Sequence, residues 1–262
     1  MDDKDIEEYH NIGKEPGLKK SNKYNYIQGK QITDHGTGTR VYDIDNSRLP
    51  SVTTILGATK NTEFLKKWKA KVGEEQAERI KNHSSKRGTS MHKFIESHVS
   101  GVGYDDLTSI GQEAKPMAEK IIEVGFTPIE EVYGSEIMLH YPGLYAGSTD
   151  LVCLHNDMET IVDFKQANRP KKEEWIEDYF LQIAAYALAH DYTHKSTIRQ
   201  GVIMVCTPDL YYQEFKIQDS VLKQWKHRWL KRLDMYHELK FDEKEQANVK
   251  MKEEDFNEPK TT

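Results

Sequence analysis

Two apolar runs near the middle of the chain carry charges where buried strands ordinarily hold Val or Ile. The runs are STDLVCL (148–154) and TIVDFK (160–165), and the charges are Asp150, Asp163 and Lys165. An ionised side chain withdrawn from water is costly unless it is paired or bound to a metal. Residues two apart on a strand share a face, so Asp163 and Lys165 project together while Phe164 points into the opposite layer. If the two runs pair as neighbours, Asp150 reaches the same edge, and Glu136 on the preceding run can join it. An ordinary ion pair would leave such a group balanced, but here acids outnumber bases. A divalent cation restores the balance, and oxygen ligands of this kind suit Mg²⁺ or Mn²⁺.

The elements that must position these groups follow from periodicity and turn residues. RVYDI (40–44) reads as a short strand and PSVTTIL (50–56) as a turn leading into a helix. The segment 61–83 reads as a helix capped by Asn61 or Thr62, with Leu65, Trp68 and Val72 on one core-facing stripe. Further helices are predicted over 89–99 and 109–123. The period then changes: VYGSEIMLHY (132–141) alternates, PGLYAG turns, and the two charged runs follow, joined by HNDME. A long helix is expected over 171–191, strands at 201–207 and 211–217, and a last amphipathic helix from Asp219 to about Leu239. Helices, a meander, a helix and more strands make an α/β protein with a central mixed β-sheet flanked by helices.

Composition bounds the rest. At 262 residues and 37% apolar content a single large core is within reach, and no linker or internal repeat divides it. Residues 1–22 read as a flexible N-terminal arm, 23–240 as one domain, and 241–262 as a charged, disordered tail. With 43 acidic against 37 basic residues, the net charge of −6 excludes a protein that coats nucleic acid over its whole surface, though not a local basic groove. Two cysteines, Cys153 and Cys206, cannot supply a four-thiolate site, so no iron–sulfur cluster is expected. No run is long enough to span a bilayer, and the opening MDDKDIEEYH is unlike a signal peptide, so a cytoplasmic protein is expected, in the host cytoplasm if viral.

At Gly147, Asp150, Asp163 and Lys165 the chain resembles the PD-(D/E)XK nuclease superfamily. The closer likeness is to its exonuclease branch: the nuclease domain of bacterial recombination helicase–nucleases, the mitochondrial genome maintenance exonuclease and many phage exonucleases. That branch shows Gly-x-x-Asp and then Asp/Glu-x-Lys about thirteen residues on, as here; Thr149 stands where the superfamily's name has Pro. KRGTSMHKFIE (86–96) resembles the helix whose His lies over the metals, QIAAY (182–186) the Q-x-x-x-Y helix, and LPSVTTIL (49–56) the segment that opens the nuclease fold.

The resemblance implies a restriction-endonuclease-like core with an added N-terminal helical region. It also implies an Mg²⁺- or Mn²⁺-dependent deoxyribonuclease acting on DNA with a free end, single-stranded by preference, in replication, recombination or repair. A helicase, a single-strand-binding protein or an annealing protein is the expected partner, with no membrane involved. The implied metal ligands are His92, Asp150, Asp163, the carbonyl of Phe164 and Glu136. Lys165 is the catalytic lysine, braced by Gln182 and Tyr186, with Glu96 as a more distant candidate. Arg87, Lys86, Ser51, Thr53 and Ser148 are the implied DNA contacts. On the residues alone, Trp175 and Tyr179 read as core-facing, and so does the stripe Leu222, Trp225, Trp229 and Leu233. Two competing readings are an endonuclease cutting duplex or branched DNA with the same core, and a DNA-binding module with a structural metal. A retired site has no reason to retain a buried lysine, which argues against the second.

Overall fold

The computed structural model describes residues 18–27, 29–33, 39–44 and 46–257. A small antiparallel sheet comes first, from β1 (Lys30–Thr33), β2 (Arg40–Ile44) and β3 (Ser47–Pro50). Helices α1 (Val52–Thr59), α2 (Glu63–Val72), α3 (Glu74–Ser100) and α4 (Ser109–Gly125) follow. The central sheet contains β4 (Ile129–Tyr141), β5 (Tyr145–His155), β6 (Met158–Gln166), β7 (Gln200–Cys206) and β8 (Tyr212–Gln218), in that spatial order. Helix α5 (Glu177–His194) carries the chain from β6 to β7, the one parallel pair, and α6 (Asp219–Asn257) ends the described chain. A parallel pair needs such a crossover, whereas the antiparallel neighbours are joined by short turns. The architecture is therefore mixed α/β, with a five-stranded mixed sheet flanked by helices, as the sequence led one to expect.

Alternation along each strand builds two cores. Val152, Ile161, Ile203 and Val205 face α5 and α6, packing on Phe180, Ile183, Leu222 and Trp229. Leu151, Cys153, Val162, Phe164 and Met204 face the other way, against Met91, Phe94 and Ile95 of α3 and Met117 and Ile121 of α4. Each large side chain fully buried in this way contributes about 1.5–3 kcal/mol. Helix α5 is buried on both sides, from Phe180 to His190, which is why it shows no single apolar stripe.

Several local expectations are corrected. The helix break falls at Gly73, whose φ of 86° suits glycine, and α3 runs without interruption through Ser84–Gly88. No residue of α2 is buried, so its stripe of Leu65, Trp68 and Val72 does not enter the core. Trp175 is 62% exposed because a single 3₁₀ turn, Glu173–Trp175, precedes α5 and takes it out of the helical register. Leu222, Trp229 and Leu233 are buried as the stripe implied, with Trp225 packed against Phe180. The last helix continues to Asn257, into the segment read as a tail; the run is rich in strong helix formers, and Lys240 pairs with Glu243 at 2.6 Å one turn apart. Residues 1–17 of the expected arm lie outside the described residues, but its end pairs with the outer edge of β4. Val132 N donates to Lys19 O at 2.8 Å, and Ser21 N donates to Val132 O at 3.0 Å.

Candidate active site

The ladder between β5 and β6 stops at Leu151 and Val162, one position short of Asp150 and Asp163. Beyond that point a side chain replaces the backbone acceptor: Phe164 N donates to Asp150 Oδ2 at 2.6 Å. Both aspartates are buried, at 9% and 1% exposure. The Lys165 ammonium lies against Asp163 Oδ2 as an ion pair, so the charge on this buried carboxylate oxygen is partnered by the lysine. The Lys165 ammonium also sits 5.2 Å from the centre of the Tyr179 ring.

Glu136 and His92 complete the group. On β4, Ser135 pairs with Leu151 and Ile137 with Thr149, which puts Glu136 directly across from Asp150. Its φ is 52°, a left-handed conformation that costs a non-glycine residue about 1–3 kcal/mol and persists only where the surroundings impose it. His92, on α3, brings Nδ1 to 3.4 Å from Asp150 Oδ1. One ligand atom from each of His92, Glu136 and Asp150 lies within 4.8 Å of the others. Ser148 reaches Glu136 at 3.5 Å.

The electrostatics show a group short of positive charge. Glu136 stands at the exposed rim of the group, where desolvation by its neighbours, and then the nearby Asp150, push its carboxyl up to about 7. Burial raises Asp163 to about 6, with Asp150 adding to the rise and Lys165 opposing it. Burial disfavours a charged His92, but the Asp150 carboxylate outweighs it and lifts the imidazole to about 9. Burial likewise opposes the charge on Lys165, and Asp163 and Asp150 more than compensate. Asp150 is held below its ordinary range: His92, Lys165 and the Phe164 N–H outweigh its burial. With all three carboxylates ionised and His92 neutral, the acids exceed the one ammonium by two charges; without a metal, the protons that His92 and Glu136 hold more tightly offset part of that excess. A single divalent cation cancels that excess, and the His92 imidazole with the Glu136 and Asp150 carboxylates, whose ligand atoms already converge, are donors that suit it. The residues present fit a hard divalent metal.

These groups open into a cleft of about 400 Å³. Gln182 donates to the Tyr186 hydroxyl at 3.2 Å from one wall. Tyr186 is buried, with its hydroxyl pushed far above the ordinary range by burial. Its ring explains Gly147: a Cβ there would stand 2.6 Å from Tyr186 Cε1. Thr53 and Ser148 line the cleft, as does Ser51, but the Ser51 hydroxyl is committed. It caps α1, accepting from Thr54 N at 2.9 Å and donating to Thr54 Oγ1 at 2.8 Å, rather than offering a free donor to DNA.

Arg87 is a clear correction. It is 4% exposed, and its guanidinium binds Gln166 Oε1 at 2.8 and 3.1 Å, Glu113 at 3.2 Å and the side chain of Asn168. A phosphate clamp needs a free guanidinium face, and this one ties α3 to the end of β6 instead. Lys86 is exposed on α3 but lies outside the lining of the cleft. Sequence reasoning missed Thr89, Lys93, Gln31, Arg40 and Tyr42, which also line it. The first two were findable, since Thr89, His92, Lys93 and Glu96 share one helical face. Nothing in the short strands β1 and β2 marked the other three.

No family model matches the chain, and no curated protein matches it. Among solved structures it is similar to a candidate exonuclease from Eubacterium rectale, at 11% identity and a TM-score of 0.43, covering 58% of this chain and 64% of that one. It is similar also to an alkaline exonuclease from Laribacter hongkongensis, at 14% identity and a TM-score of 0.31, covering 62% and 85%. The complex of that exonuclease with dAMP aligns at 15% identity and a TM-score of 0.29, covering 62% and 85%. These structural neighbours carry exonuclease names, but at such identities and TM-scores the likeness bears no functional weight, which rests on the chemistry of the cleft.

Proposed function

We propose that the chain is a metal-dependent DNA exonuclease that hydrolyses phosphodiester bonds from DNA ends, with single strands preferred. The observation that carries this reading is the convergence of Glu136, Asp150, Asp163, His92 and Lys165 where β5 and β6 part, in a cleft open to solvent. Neither a G-x-S-x-G nor an H-E-x-x-H motif offers a competing hydrolytic centre. The order R-G-T-x-x-H, G-x-x-D, D-x-K, Q-x-x-x-Y supports the exonuclease branch over its endonuclease relatives.

Asp150, Asp163, His92 and Glu136, with the Phe164 carbonyl, would hold one or two Mg²⁺ or Mn²⁺ ions. A bound ion of this kind supplies Lewis acidity, lowering the pKa of water and drawing charge off the phosphate. His92 would have to be neutral to serve as a ligand, so its affinity for a cation would fall as pH falls. Lys165, kept charged by Asp163 and Asp150, aims its ammonium at the attacking water and at the charge that grows on the scissile phosphate. Tyr179 and Asp163 restrict where that ammonium can point. Gln182 and Tyr186 brace the floor of the cleft beneath Gly147. Thr53 and Ser148 offer hydroxyls to the strand's phosphates. A role in replication, recombination or repair, alongside a helicase or a single-strand-binding or annealing protein in the cytoplasm, fits such an activity.

The test is degradation of end-labelled linear single-stranded DNA with Mn²⁺, against a circular single strand of the same length. Loss of the linear DNA alone, abolished by EDTA, is expected. Cutting of the circle would make the chain an endonuclease, and no cleavage of either would overturn the reading.

A further inference from the structure

Helix α2 is the part of the fold that packing leaves unexplained. None of its ten residues is buried; Phe64 is 82% and Leu65 46% exposed. An amphipathic helix in a globular protein ordinarily turns its apolar stripe to the core. Four lysines, Lys66, Lys67, Lys69 and Lys71, stand on the same helix, and among the described residues none makes an ion pair. Phe64, Lys67 and Lys71 share one face, at spacings i, i+3 and i+7. Local excess of cations around an aromatic ring, in a chain whose net charge is −6, is complementary to a polyanion that carries bases.

Contacts from the cleft reach the residues that lead into this helix. The ring of Tyr179 packs 5.2 Å from Lys165 Nζ. The adjacent Asp178 holds Lys60 at 2.9 Å, and α2 begins three residues after Lys60. Beside Lys60 stands Lys171, half-buried and without an acidic partner among the described residues. Its backbone is pinned to β8, donating to Gln213 Oε1 at 2.6 Å and accepting from Gln213 Nε2 at 2.9 Å. Burial, and then Lys60, pull the Lys171 ammonium below its ordinary range, so an approaching anion would gain by supplying the counter-charge.

We propose that Lys171, Lys67, Lys71 and Phe64 form a track for the single strand outside the cleft, with phosphates on the lysines and a base stacked on Phe64. The track rests on the nuclease reading and deepens it: it selects a flexible single strand several nucleotides long, whose bases are free to stack, over a stiff duplex.

Anisotropy of fluorescent 4-mer and 16-mer single strands, in EDTA so that nothing is cut, separates the track from the cleft. The variant F64A/K67Q/K71Q is expected to bind the 4-mer like wild type and the 16-mer about tenfold or more weakly. Its salt dependence for the 16-mer should flatten by about 1.4 in log–log slope, roughly 0.7 for each lost phosphate contact. Lys171→Gln should show the same dependence on length with half that change in slope. Unchanged 16-mer binding, or equal losses on both lengths, overturns the track. Co-sedimentation with phosphatidylserine vesicles is the control for a basic amphipathic helix that binds lipid. Vesicle binding that F64A/K67Q/K71Q abolishes, with 16-mer binding intact, also overturns it. A wild-type protein that degrades no linear DNA refutes the nuclease reading itself, whereas one that degrades DNA while its variants bind normally refutes only the track.

Discussion

Two polar groups lie a few residues apart along β6 and solve opposite problems. Around Gln166 and Asn168, the Arg87 guanidinium meets a matched set of oxygens, and Gln166 in turn donates to Ser84 O at 3.0 Å. Around Asp163 and Lys165, acids exceed bases, and Glu136 is held in a strained conformation. A closed network holds two elements together. An open one, built at a cost to stability, is what a site that awaits a cation and a phosphate looks like.

Substitutions in the two groups should therefore fail in different ways. Lys165→Ala should cut turnover by at least about 10²–10³-fold while binding of single-stranded DNA stays near wild type. Steady-state kinetics and anisotropy on the same preparation would show it, and near-normal turnover would remove Lys165 from the chemistry. Arg87→Ala should lower stability by about 2–4 kcal/mol in urea titration, yet keep its activity per folded molecule. A rise in KM with unchanged stability would return Arg87 to the DNA interface.

How far the sequence foretold this division is instructive. Asp150, Asp163, Lys165 and Glu136 were legible because strand alternation puts every second residue on one face, and burial of charge is conspicuous in an apolar run. His92 was legible because its motif is local to one helix. Arg87 was not: the resemblance made it a DNA contact, and the partners that bury it, Glu113, Gln166 and Asn168, come from distant parts of the chain. Periodicity shows that Leu65, Trp68 and Val72 form a stripe but is silent on whether another element covers it. Nor could pattern anticipate the positive φ of Glu136.

Smaller effects sharpen the contrast. Gly147→Ala forces a methyl against the Tyr186 ring and should cost about 1–3 kcal/mol, visible as a lower melting temperature. Above about pH 7 the metal-free protein should lose stability as pH rises; below that, His155, His190 and His194, lowered by burial, act in the opposite sense. In the folded state Asp163 goes from 3.8 to about 6, Glu136 from 4.5 to about 7 and His92 from 6.5 to about 9, so all three hold their protons more tightly than in the unfolded chain. Their contribution is complete at low pH and is lost progressively between about pH 4 and 9. The lowered Asp150 acts in the opposite sense, but only below its ordinary value of 3.8. Without metal the melting temperature at pH 9 should lie below that at pH 7, and Mn²⁺ should narrow the difference; a metal-free protein that melts higher at pH 9 would contradict the charge balance drawn for the cleft.

The most direct test is an anomalous difference map from a crystal soaked in Mn²⁺. The account predicts a peak within ligand distance of Asp150 and at least one of His92, Glu136 and Asp163, absent in Asp150→Asn. A map with no peak there, or one that survives the substitution unchanged, would contradict it.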